Sequence, residues 1–96
     1  MRSYEVALIF KPTIEDERQQ ALIDKISGLI TEMGGQTGEL NKWGKRRLAY
    51  EINDQREGLY SFLPFQAETK VLDELEHVLK LSEELLRFML VRMDEE

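Results

Sequence analysis

The hydrophobic pattern of this chain switches four times between a period of two and a period near 3.6, and few folds satisfy that order. Residues 4–10 alternate, with Tyr4, Val6, Leu8 and Phe10 on one side and Glu5, Ala7 and Ile9 on the other, as a strand in a sheet does. Lys11-Pro12-Thr13 ends it, and Thr13 with Asp16 three residues on predicts a capping-box-like helix start. Leu22, Ile26, Leu29, Ile30 and Met33 follow at helical spacing, until Gly34-Gly35 stops the helix with a residue that tolerates positive φ. Gln36 to Ile52 reads as one long strand, bent or bulged at Gly38 and Gly44. Asn53-Asp54-Gln55-Arg56-Glu57-Gly58 is turn chemistry, so a hairpin joins that strand to the next, over 59–67. Thr69 is placed to cap a second helix striped by Leu72, Leu75, Val78 and Leu79, and a last strand spans 86–93.

The resulting order, βαββαβ, predicts an α+β ferredoxin-like sandwich: a four-stranded antiparallel sheet with two helices on one face. Ninety-six residues suffice for a single domain, 1–96, with one core. Its expected members are Val6, Leu8, Phe10, Leu22, Ile26, Ile30, Leu63, Phe65, Leu75, Leu79, Phe88 and Leu90. The uncovered face would carry Ala7, Ile9, Tyr60, Phe62, Met89 and Val91 with Arg87 nearby. Single exposed hydrophobes are ordinary, but six on adjacent strands make a patch of the kind that marks an interaction surface.

Little in the sequence points to catalysis. There is no cysteine, which removes disulfides, thiolate metal sites and a Cys nucleophile. The single histidine, His77, falls between stripe positions near solvent and has no second His or clustered carboxylate to pair with. Phosphate-binding, dinucleotide and nucleophile-elbow signatures are missing. Ferredoxin-like acylphosphatases use an Arg on the loop after the first strand, a place held here by Lys11-Pro12-Thr13. The expectation is a protein with no catalytic residue, metal, cofactor or small-molecule substrate. No apolar run approaches the ~20 residues of a membrane span, and Glu5 interrupts any signal-peptide core, so the reading is soluble and cytoplasmic.

Charge is unevenly placed. The net charge is -6, yet windows 15–32 and 68–84, both in predicted helices, hold eleven acids and four bases. Outside them, and before the terminal Asp94-Glu95-Glu96, bases outnumber acids nine to five. The densest group is Lys42-Trp43-Gly44-Lys45-Arg46-Arg47-Leu48-Ala49-Tyr50. Cations interleaved with aromatic rings suit phosphate neutralisation together with base stacking. They equally suit a solvated edge strand whose lysines discourage aggregation, and the segment alone leaves both open.

With order, basic segment and ends in place, the chain resembles the bacterial small-subunit ribosomal protein "S six" family. The resemblance rests on Arg2-Ser3-Tyr4-Glu5, on the run from Trp43 through Gly44-Lys45-Arg46-Arg47-Leu48-Ala49-Tyr50 to Glu51-Ile52, on Glu57-Gly58-Leu59-Tyr60, and on Leu81-Ser82 through Leu86-Arg87 to Leu90-Val91-Arg92. It spans essentially the whole chain, departing at Glu84-Leu85, where members usually carry Asn and a Val-like residue. It implies a structural, ribosome-associated component of the small subunit. Such a protein binds the central domain of small-subunit ribosomal RNA as a heterodimer with ribosomal protein "S eighteen". The family's RNA contacts carry over to Arg2, Tyr4, Lys45, Arg46, Arg47 and Arg87; the residues themselves add Arg92, with Tyr4 or Tyr50 stacking or hydrogen-bonding. The partner protein would cover Tyr60, Phe62 and Met89. The alternative is a ferredoxin-like regulatory or interaction module that self-associates through its open sheet face.

Overall fold

A computed structural model describes residues 1–52 and 55–93. In chain order they form β1 (Arg2–Phe10), α1 (Asp16–Glu32), β2 (Gln36–Thr37), β3 (Asn41–Ile52), β4 (Gln55–Ala67), α2 (Lys70–Lys80) and β5 (Leu85–Arg92). β1 lies between β4 and β5, antiparallel to both, and β2 and β3 both pair with β4. The sheet therefore has five strands where four were expected, because the long strand over 36–52 breaks at residues 38–40. Thr37 lies opposite Phe65 and pairing resumes with Asn41 opposite Phe62, so three residues face two. Gly38 N–H donates to the Pro64 carbonyl at 2.7 Å. Pro64 has no N–H to return the ladder bond, and the break falls there.

β4 starts four residues earlier than expected, so Gln55 to Gly58 belong to the strand rather than the turn. Asn53-Asp54 and the tail Asp94-Glu95-Glu96 lie outside the described residues.

The helix starts differ from the sequence expectation. Glu15, not Thr13, is the N-cap of α1, without a side-chain cap. The buried Gln19 amide instead donates to the Ile14 carbonyl at 3.0 Å and closes that turn. Thr69 precedes α2 in helical geometry, and its hydroxyl lies 3.4 Å from the Tyr4 hydroxyl rather than capping the backbone. The end of α1 is as expected: Gly34 has φ 89°, with Gly34 N–H donating to Thr31 and Gly35 N–H to Ile30. That pair of bonds is a Schellman closure.

Both helices cover the side of the sheet that carries Val6, Leu8, Phe10, Leu63 and Phe65, which bury with Leu22, Ile26, Ile30, Leu75 and Leu79. Tyr4, Ile23, Ala67 and Val71 join this core. Phe88 and Leu90 pack against it only partly buried, because β5 is a sheet edge. The start of β5 is fixed from two directions. Lys11 N–H donates to the Glu84 carbonyl at 3.0 Å, and Arg18 of α1 reaches the Glu84 carboxylate at 3.0 Å. No helix among the described residues is long and apolar enough to cross a membrane.

Candidate nucleic-acid interface

β3 owes its chemistry to one glycine. Gly44 has φ 78°, a conformation that residues with a Cβ rarely adopt, and the register with β4 slips between Lys42 and Gly44. Trp43 is the extra residue. Its ring lies 4.6 Å from that of Phe62, which lies 6.4 Å from Tyr60. Beyond the bulge, Gly44 faces Tyr60, Lys45 faces Leu59, Arg46 faces Gly58 and Arg47 faces Glu57. Opposed residues of an antiparallel pair share a face. Arg46 therefore stands on the open face, while Lys45 and Arg47 stand on the helix side. All three are exposed, because the helix layer stops short of β3. The Arg46 guanidinium lies 5.9 Å from the Trp43 ring centroid, within cation–π range.

Toward the end of β3 the register slips again, between Arg47 and Ile52. Leu48 is buried there while Ala49, Tyr50 and Glu51 are exposed, and Arg56 donates to the Glu51 carboxylate at 3.0 Å. The Tyr50 hydroxyl accepts a hydrogen bond from Arg87 of β5 at 2.8 Å. Arg87 faces Ile9, and Met89 faces Ala7, so both are on the open face. Tyr60, Phe62 and Met89 thus share that face with Trp43, Arg46 and Arg87, and Met89 is among the exposed large hydrophobics.

The remaining expected residues fall elsewhere. Tyr4 is 6% exposed, its ring packs 5.5 Å from Phe65, and it cannot stack on a base in this arrangement. Its alternation with Val6, Leu8 and Phe10 was the signal for a core position. Arg92 faces Tyr4, and Arg2 faces Ala67, which puts both on the helix side. Five residue steps along β1 separate the Tyr4 and Ile9 rows, roughly 17 Å at the usual strand rise. Arg2 and Arg92 are therefore a second group, at the far end of the sheet from Arg87. Trp43 and Leu48 lie within the β3 group although neither was among the expected contacts. The signal for Trp43 was its place beside a glycine in a strand; Leu48 had none.

Residues 3–92 match the family model described as Ribosomal protein S6. A small ribosomal subunit protein bS6 of Desulforudis audaxviator is 50% identical over 98% of this chain and 100% of its own length. Another, from Moorella thermoacetica, is 42% identical over 100% of this chain and 98% of its own. The crystal structure of a 30S ribosomal protein S6 from Thermotoga maritima matches with a TM-score of 0.87 at 29% identity, covering 96% of this chain and 87% of that one. The chain belongs to the ribosomal protein S6 family, and so to the small subunit of the cytoplasmic ribosome.

Proposed function

We propose that this chain acts as one non-enzymatic RNA-binding domain, docking on the central domain of small-subunit ribosomal RNA together with ribosomal protein "S eighteen". The observation that carries the reading is the division of cations by the Gly44 bulge. One exposed strand presents Arg46 on the open face and Lys45 and Arg47 on the reverse, and Arg87 adds to the open face. Such a strand neutralises phosphates on two sides at once, which suits a junction where RNA segments converge. Recognition there is by shape, since side chains cannot read the deep, narrow A-form major groove. Arg2 and Arg92 supply a second contact at the other end of the sheet. Tyr60, Phe62 and Met89, with Trp43 beside them, form the apolar ground on which the partner protein sits.

The test has two arms. Affinity purification from lysate should recover the small subunit, and ribonuclease treatment should release it. In binding to central-domain RNA with the partner present, Arg46→Ala with Arg47→Ala should flatten the log–log salt dependence by roughly 0.7–0.9 for each lost phosphate contact. An unchanged slope would reduce the basic strand to edge protection, and a stable homodimer without RNA affinity would favour the self-association module.

A further inference from the structure

We infer that Tyr50 is a positioning residue for Arg87: its hydroxyl holds the guanidinium over the open face before RNA arrives, and the ring itself makes no contact with bases. This rests on the RNA-binding reading above. The two side chains are 37 positions apart in sequence and come from β3 and β5, strands that do not pair, since β4 and β1 lie between them. The end of β3 has to reach over the open face for them to meet.

The way it crosses is visible in the packing at Gly58. A Cβ at Gly58 would fall 2.5 Å from Ile9 Cγ2 and 3.5 Å from Leu48 Cδ2, so Ile9 packs into the space that the bare glycine leaves and Leu48 lies within contact distance of the same spot. Leu48 is buried there, in a stretch of β3 whose other side chains are exposed. Ile9 in turn faces Arg87 across β1 and β5. Anchoring Leu48 in that row brings the end of β3 within reach, and the phenol two residues on closes the 2.8 Å bond. An arginine has five N–H donors, and this contact uses one of Arg87's two terminal nitrogens, leaving donors for phosphate. Held in place, the long side chain gives up less rotamer freedom on binding than a free one would.

The test is a double-mutant cycle on central-domain ribosomal RNA with ribosomal protein "S eighteen" present, using Tyr50→Phe, Arg87→Gln and the pair. Tyr50→Phe keeps the ring and should weaken binding roughly two- to tenfold, the fold-change for ordering one such side chain. It should leave the salt slope unchanged, because no cation is lost. Arg87→Gln should lower the slope by roughly 0.7–0.9, and adding Tyr50→Phe to it should cost nothing further. Leu48→Ala, checked for folding by circular dichroism, should behave like Tyr50→Phe and likewise vanish in the Arg87→Gln background. If Tyr50→Phe is silent while Arg87→Gln is not, or its effect persists undiminished without Arg87, the positioning role is overturned and the RNA-binding reading stands. If Arg46→Gln, Arg47→Gln and Arg87→Gln all leave binding unchanged, both fall.

Discussion

β4 carries two phenylalanines three residues apart, and the sheet assigns them opposite tasks. Phe65 is 2% exposed, faces the helices and packs on Tyr4. Phe62 is half-buried on the open face, with the Trp43 ring 4.6 Å away. Truncating a fully buried Phe to Ala costs about 3–5 kcal/mol, and Phe65→Ala should fall in that range. Phe62 keeps at most about a third of its surface in water but leaves no enclosed cavity on the open face, so its loss is smaller, about 2–3 kcal/mol. Part of that loss is the ring pair with Trp43, and a double-mutant cycle with Trp43→Ala should return a coupling of about 0.5–1.5 kcal/mol. Urea unfolding followed by far-ultraviolet circular dichroism gives the stabilities without relying on Trp43 emission, which Phe62→Ala itself would alter. Partner association should rank the variants the other way. A buried aromatic anchor commonly costs 2 kcal/mol or more at an interface, roughly thirtyfold in affinity. Phe62→Ala should lose that much, and Phe65→Ala little wherever it remains folded. Equal stability losses for the two, with no difference in partner binding, would refute the face assignment and the interface drawn from it.

Three further outcomes concern the frame that holds this surface. A Cβ at Gly35 would lie 2.6 Å from the Gln66 carbonyl oxygen and 2.7 Å from Ile30 Cγ2; Gly35→Ala should therefore cost about 1–3 kcal/mol in urea unfolding. Gly28→Ala, mid-helix with nothing within 4 Å, should instead stabilise by about 0.4–1 kcal/mol. The Glu84 carboxyl is held below the usual carboxylate range, first by a backbone hydrogen bond at Glu84 and then by Arg18. A depressed folded pKa means stability that is present above the unfolded value near 4.5 and lost as pH falls through the folded one. Glu84→Gln should thus be less stable than the wild type at neutral pH, by no more than about 1 kcal/mol for so exposed a pair. The two should converge in acid, and a constant gap from pH 7 to pH 3 would show that Glu84 acts without its charge.

Much of the fold was legible because side-chain period maps directly onto faces. The alternation of β1 and β4 placed Val6, Leu8, Phe10, Leu63 and Phe65 inward and Tyr60 and Phe62 outward, as the register does. The same alternation places Tyr4 in the core, where it is buried, although family resemblance implies an RNA contact at that position. Caps were less legible, since Thr13 and Thr69 have the right chemistry but tertiary contacts decide which oxygen meets which N–H. The split of 36–52 into two strands depended on Pro64, a residue of the facing strand, so no reading of 36–52 alone could find it. Periodicity also fails where the period itself is interrupted. The Gly44 bulge resets the phase of Lys45, Arg46 and Arg47, and only the pairing with Leu59, Gly58 and Glu57 settles which of them faces outward. The Tyr50–Arg87 contact joins two strands that never pair, and it was legible in neither.

A chain of net charge -6 as an RNA-binding protein looks paradoxical until distance is considered. Most acids ride on α1, α2 and the turns beside them, behind the sheet from Arg46 and Arg87, and some are already engaged there. Glu76 pairs with Lys80 at 2.8 Å and Glu84 with Arg18 at 3.0 Å. A packed layer of about 10 Å separates the helices from the open face, and physiological salt screens charge over about 8 Å. In the proposed complex the helix acids therefore weigh little on a phosphate docked against Arg46 or Arg87. Beyond contact range, at low salt, an approaching polyanion senses the whole distribution, and the acidic side repels it. In the proposed reading, the same charges that leave the docked complex nearly untouched turn the molecule during approach, so that Arg46 and the open face arrive first.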